Sequence, residues 1–116
     1  MKGIYFINER IRLNGLSIEE SITLQEQSIK QYISGQNIEI IKLNPLQLKE
    51  HYTILHALLY DLKKDPVWLD CFIHYSPKVM EDFIFSYPAK WLILKSFFKE
   101  FIPIESKPDF TIQRAL

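Results

Sequence analysis

Residues 3–43 constrain this chain most, because they read as strand, loop, helix and strand in immediate succession. Gly3-Ile4-Tyr5-Phe6-Ile7 is a β-branched and aromatic run without polar alternation, the pattern of a strand buried on both faces. Residues 8–16 follow as a loop that carries Glu9, Arg10 and Arg12 and contains the turn dipeptide Asn14-Gly15. Ser17-Ile18-Glu19-Glu20 is a capping box. Ser17 can accept from the free amides of the first turn while Glu20 reaches back to the Ser17 amide, a cap worth about 1 kcal/mol. Ile18, Ile22, Gln25, Ile29 and Ile33 then fall on one helical face, with Gln25 the polar member of an apolar stripe. Gly35 supplies a helix stop, and residues 38–43 read as a second strand.

The rest of the chain continues the alternation. Asn44-Pro45 breaks the second strand and opens a helix in which Leu48, Tyr52, Leu55, Leu59 and Leu62 repeat at helical spacing. Lys63-Lys64 suit its C-terminal dipole, and Asp65-Pro66 stops it. Residues 67–75 read as a third strand. Ser76-Pro77 starts a helix whose buried stripe is Val79, Met80, Phe83 and Ile84. Pro88 enforces a break and begins another helix over residues 88–101, with Trp91, Leu92, Leu94, Phe98 and Phe101 on its apolar side. Ile102-Pro103-Ile104-Glu105 reads as a short edge strand, and residues 106–116 as a tail. The order β-α-β-α-β-α-α-β predicts one three-layer α/β domain over residues 1–105. Its sheet is four-stranded and mostly parallel, with helices on both faces and right-handed crossovers.

Composition narrows the function classes. Hydrophobic residues make up 47% of the 116, enough for a real core in one domain. The formal net charge is +0, which argues against strong non-specific attraction to nucleic acid or to an anionic membrane. Only Arg10, Arg12 and Arg114 are arginines, and lysine is the poorer bidentate phosphate ligand. Cys71 is the sole cysteine, so no intramolecular disulfide forms; in an apolar strand it reads as an inert core thiol. Met1-Lys2-Gly3 leads straight into a strand, not a signal peptide, and no apolar run approaches the roughly 18 residues of a membrane span. A cytoplasmic protein is expected.

Residues 1–43 resemble the start of the N-terminal catalytic domain of serine recombinases, the resolvase/invertase family. Gly15-Leu16-Ser17 is similar to the family's Gly-x-Ser stretch leading into a helix. Lys30-Gln31-Tyr32-Ile33 followed by Ile38-Glu39-Ile40-Ile41 is similar to the helix end and second strand that come next. The later element order extends the resemblance to about residue 105, which implies a resolvase-like fold. The departures imply a dead enzyme. Ile7 and Glu9 stand where the family has the arginine and nucleophilic serine of Arg-x-Ser, and Ser76-Pro77-Lys78-Val79-Met80 lacks both arginines of Asp-Arg-Leu-x-Arg. DNA strand exchange needs a nucleophile and cations around the phosphate, and a glutamate in the nucleophile's place repels phosphate. The family's oligomerisation helix and DNA-binding domain are not expected after residue 105.

No catalytic residue, metal ligand or cofactor is assigned on these grounds. His51 and His56, five apart on the expected helix, do not share a face, and His74 has no second ligand to name. No glycine-rich phosphate loop or catalytic triad spacing is present. The partner-binding candidates are Asn8, Glu9, Arg10 and Arg12 in the first loop, where open α/β sheets place ligands, together with Phe85 and Phe97, which fall off the main helical stripes, and Trp91, which does so if its helix turns slightly. The expectation is a non-enzymatic protein-interaction or regulatory module in a bacterium or its mobile element, whose partner is another protein or a second copy of itself. The alternative is a non-catalytic DNA-associated accessory protein related to site-specific recombinases, which would need Lys42, Lys49, Lys63, Lys64, Lys78, Lys90, Lys95 and Lys99 on one surface.

Overall fold

The computed structural model describes residues 1–106, and the expected tail over 107–116 lies outside the described residues. Four strands form one sheet in the order β2-β1-β3-β4: β1 (Lys2–Tyr5), β2 (Glu39–Ile40), β3 (Leu69–His74) and β4 (Phe98–Pro103). Every pairing is parallel. Four α-helices connect and cover them: α1 (Ile18–Ser34), α2 (Leu55–Lys64), α3 (Glu81–Ser86) and α4 (Pro88–Lys95). This is the α/β class expected, with the sheet parallel throughout.

Two cores lie on opposite faces of the sheet. Tyr5, Ile7, Cys71, Ile73 and Ile102 pack with Ile29 of α1 on one face. Ile4, Phe6 and Phe72 pack with Leu55, Leu58, Leu59 and Leu62 of α2, Phe83 of α3 and Leu94 of α4 on the other. Alternate residues of β1 thus feed both layers, as the apolar run without polar alternation requires. Gly3 is fixed by a close approach of β1 to β3, since a Cβ there would stand 2.6 Å from Cys71 Sγ and 3.0 Å from the Cys71 carbonyl oxygen. Cys71 is fully buried, and burial, with Glu100 nearby, pushes its thiol up to about 11. It is the inert core thiol the sequence suggests.

Helix α1 begins as its sequence dictates. Ser17 Oγ accepts from the Glu20 amide at 3.1 Å, and Glu20 Oε1 accepts from the Ser17 amide at 3.0 Å. The backbone hydrogen bond at Ser17 holds the Glu20 carboxyl below its usual range. Before α1, Leu13–Gly15 form a 3₁₀ turn in which Asn14 and Gly15 adopt φ of 52° and 76°. This is the left-handed backbone for which Asn-Gly is the natural pair.

The largest departures from expectation are three. Strand β2 is two residues long, not six. Residues 41–54 form a loop, not the first half of a helix: Leu46 is 85% and Leu48 97% exposed. Tyr52 instead bridges Phe6, with Ile7 N donating to Tyr52 O at 3.0 Å, so that this loop extends the sheet beyond β1. The Tyr52 hydroxyl donates to Asp61 of α2 at 2.6 Å. His51 is therefore a loop residue, and the helix starts at Leu55. Helix α4 ends at Lys95, and Phe98 and Phe101 belong to β4, which replaces the expected strand over 102–105. Backbone pairing with β3 decides this: Leu69 stands opposite Phe98 and Phe72 opposite Phe101, and the Phe72 ring lies 5.2 Å from that of Phe98 and 4.9 Å from that of Phe101. Pro103 sits on an edge strand, the place a sheet tolerates proline.

Candidate functional site

In a parallel sheet the place to look is the carboxyl end, where the chain turns outward in opposite directions from neighbouring strands. Here α1 carries the chain from β1 to β2 over one face, and α2 returns it past β1 to β3 over the other. The switch point therefore lies between β1 and β3. It is occupied by Asn8, whose Nδ2 donates to the Val79 carbonyl in the turn after β3 at 2.8 Å. Asn8 Oδ1 also accepts from the Arg10 amide at 2.8 Å, so both ends of its amide serve the fold.

Gln25, the polar residue in the apolar stripe of α1, explains how Asn8 is held. Its side chain is fully buried. Gln25 Oε1 accepts from the Asn8 amide and Gln25 Nε2 donates to the Asn8 carbonyl, both at 2.9 Å. The helix thus presents to the loop the donor and acceptor that another strand would offer. Nε2 also lies 3.3 Å from Ser21 Oγ, and Ser21 Oγ accepts from Leu13 N at 3.4 Å. Ser21 and Gln25 together secure the loop from Asn8 to Leu13 against α1.

With the switch point filled, the opening shifts to the other side of β1. A cleft of ≈ 390 Å³ lies between α1 and the loop after β2, lined by Tyr5, Ile22 and His51 and by the charged residues Glu9, Glu26, Lys30, Lys49 and Glu50. Its charges are mostly neutralised in place: Lys49 Nζ stands 2.6 Å from Glu9 Oε2, and Lys30 Nζ 3.2 Å from Glu26 Oε2. The Tyr5 hydroxyl donates to Glu50 Oε1 at 3.1 Å, and burial together with Glu50 raises the Tyr5 phenol well above its usual range. The His51 ring lies 5.2 Å from that of Tyr5, and burial holds its imidazole below the usual histidine range.

The first-loop candidates therefore divide. Asn8 is structural, Glu9 is paired with Lys49, and Arg12 Nε donates to the Leu16 carbonyl at 3.2 Å. Arg10 is exposed. The aromatic candidates divide too. Phe85 on α3 is 78% exposed. Phe97 is buried, tilted against Trp68 at 5.8 Å, and Trp91 is half-buried with its ring edge on Phe101 at 5.2 Å. Phe97 was expected off the helical stripes, and Trp91 only if the helix turned slightly; the early end of α4 turns Phe97 inward at the foot of β4 and leaves Trp91 covering that strand. The residues exposed instead are Tyr87, Leu92 and Ile93 of the α3–α4 segment, and Trp68. At the positions aligned with the recombinase motifs, Ile7 is fully buried, and Pro77–Met80 form a 3₁₀ turn around the Asn8 contact.

Sequence reasoning missed the cleft. Its walls come from four separate segments, and no spacing rule joins Glu9, Glu26 and Glu50. The one local clue is Gln25, a polar group that a buried stripe tolerates only with partners. His74, at the end of β3, is 98% buried among Phe72 and Phe101, which is a packing role. Among the described residues no group of histidine, cysteine and carboxylate side chains could hold a metal ion. No described helix is long and apolar enough to cross a membrane.

Fold and site together define an α/β protein with a parallel four-stranded sheet and an ion-paired cleft beside its first strand. No protein-family model, curated protein or solved structure matches the chain. The likeness to serine recombinases rests on the sequence segments quoted for it.

Proposed function

We propose that this protein is a non-catalytic interaction module, a stripped resolvase-like domain that recognises another protein. The observation that carries the reading is the exposed apolar segment across α3 and α4: Phe85 at 78%, Leu92 at 65%, Tyr87 at 43% and Ile93 at 41% exposure. Large apolar side chains left in solvent along one segment are what protein interfaces bury. The first loop supports the same reading from the opposite direction. Where a recombinase would hold its nucleophile, Glu9 is ion-paired to Lys49, and Asn8 is committed to the fold.

The test is affinity capture of the tagged chain from a bacterial lysate, with and without nuclease. A stoichiometric protein partner that survives nuclease is the expected result. Captured material that disappears with nuclease would replace this reading with the nucleic-acid one.

A further inference from the structure

We propose that the exposed faces of α3 and α4 dock a second copy of this chain in a two-fold dimer, with α3 of each protomer against α4 of its partner. The inference rests on the interaction reading and names the occupant of that surface.

The two helices show solvent different faces. Side chains turn by about 100° per residue along a helix. In α3, Phe83 is buried, so Glu81 and Phe85, two residues to either side, point away from the core; both are exposed, as is Asp82. α3 thus offers an aromatic ring beside two carboxylates. In α4, Leu94 is buried and Trp91 is half-buried against Phe101, so Leu92 and Ile93 point outward. Lys90 and Lys95, also exposed, stand on the two flanks of that pair. α4 thus offers apolar side chains between two ammonium groups. Tyr87, at φ −134° and ψ 60°, breaks the chain between the helices, so the acidic and the basic face lie on separate elements.

These charges have no ion-pair partner within the chain. Among the described residues the ion pairs are Lys30–Glu26 and Lys49–Glu9, and Lys90 Nζ lies over the Tyr87 ring, 5.2 Å from its centroid. Apolar groups bordered by unpaired charge have the make-up of an interface core and its rim. The signs of the rim select the partner. A patch of one sign repels its own copy. A patch with acids on one half and lysines on the other matches itself, because in a two-fold interface each half meets the other half of the second protomer. Glu81 and Asp82 of one protomer then face Lys90 and Lys95 of its partner, and Phe85 packs on Leu92 and Ile93. The apolar contact supplies the affinity, and the charges fix the register. The formal net charge of +0 adds no overall repulsion between copies.

The experiment is sedimentation equilibrium of the whole chain and of two variants, Glu81→Lys with Asp82→Lys and Lys90→Glu with Lys95→Glu. The wild type should approach twice the 13.8 kDa of one chain as its concentration rises. Each variant alone places like charges across the interface and should associate at least about tenfold more weakly. Their equimolar mixture should regain the mass of a dimer, because the reversed acids of one variant meet the reversed lysines of the other. All four positions are exposed, and recovery in the mixture shows that both variants are folded. A wild type that keeps the mass of one chain, a dimer indifferent to both variants, or a mixture no more associated than its components would overturn the proposal. A wild type of single-chain mass that still captures a different protein through Phe85 and Leu92 would overturn the second copy and leave the interaction reading standing. Failure of both self-association and capture would remove both.

Discussion

Gln25 shows how one residue can reverse the meaning of a pattern. On the helical stripe it is a blemish, and a leucine would complete the apolar face. In the structure its amide closes a pair of 2.9 Å hydrogen bonds with the Asn8 backbone. Gln25→Leu should therefore destabilise the protein by about 2 kcal/mol, because both Asn8 groups lose their partners while the site gains only apolar contact. Urea denaturation measures this, and a stabilised variant would show that the stripe matters more than the clamp. His74 makes the second prediction at this scale. Its ring is buried with Nδ1 unpaired, and burial brings its pKa down from 6.5 to about 4. The unfolded chain takes up a proton below pH 6.5 that the folded chain refuses until about pH 4. Stability contributed by the neutral ring is thus full above pH 6.5 and is lost as the pH falls to about 4, up to about 3 kcal/mol. Denaturation midpoints at pH 7 and pH 4.5 should diverge less in His74→Leu than in the wild type; equal pH dependence would remove His74 from the acid response.

Elements were legible in the sequence where local chemistry and tertiary packing agree. The capping box and stripe of α1 are both realised, because the cap is local and the stripe meets a sheet face. The region around Leu48 was not legible, since Leu48, Tyr52 and Leu55 stand at helical spacing by coincidence. Tyr52 is buried through a bridge to β1, and Leu48 is not buried at all. The same ambiguity hid β4, where Leu94, Phe98 and Phe101 fit a helical stripe but only Leu94 is helical. Backbone pairing with β3, distant in sequence, settles that choice, and no window of local pattern contains it. The corrected boundary of α2 has a direct consequence. Leu48→Ala should change stability by less than about 0.5 kcal/mol, whereas Leu62→Ala, inside α2 and fully buried, should cost about 3 kcal/mol. Comparable losses in thermal or urea unfolding would restore the longer helix.

At the scale of the whole molecule, the parallel sheet puts its two open features on different sides. The carboxyl end of β1 carries the cleft, lined by His51 and by Glu50, which accepts from the Tyr5 hydroxyl, and the opposite layer carries Phe85 and Leu92 in solvent. The alternation of strands and helices made this architecture readable from sequence. The cleft was not, because it exists only once Asn8 has closed the switch point and the loop after β2 has folded back onto α1. The first-loop and helix-surface candidates could be told apart only by their hydrogen bonds and exposure. The measurement that tests the interaction reading most directly is quantitative, nuclease-treated affinity capture with wild-type protein beside two variants, Phe85→Asp with Leu92→Asp and Arg10→Ala with Glu9→Gln. The account predicts a protein partner held by the wild type and by the loop variant and lost with the two aspartates. A partner retained by the aspartate variant, or no nuclease-resistant partner for any of the three, would contradict it.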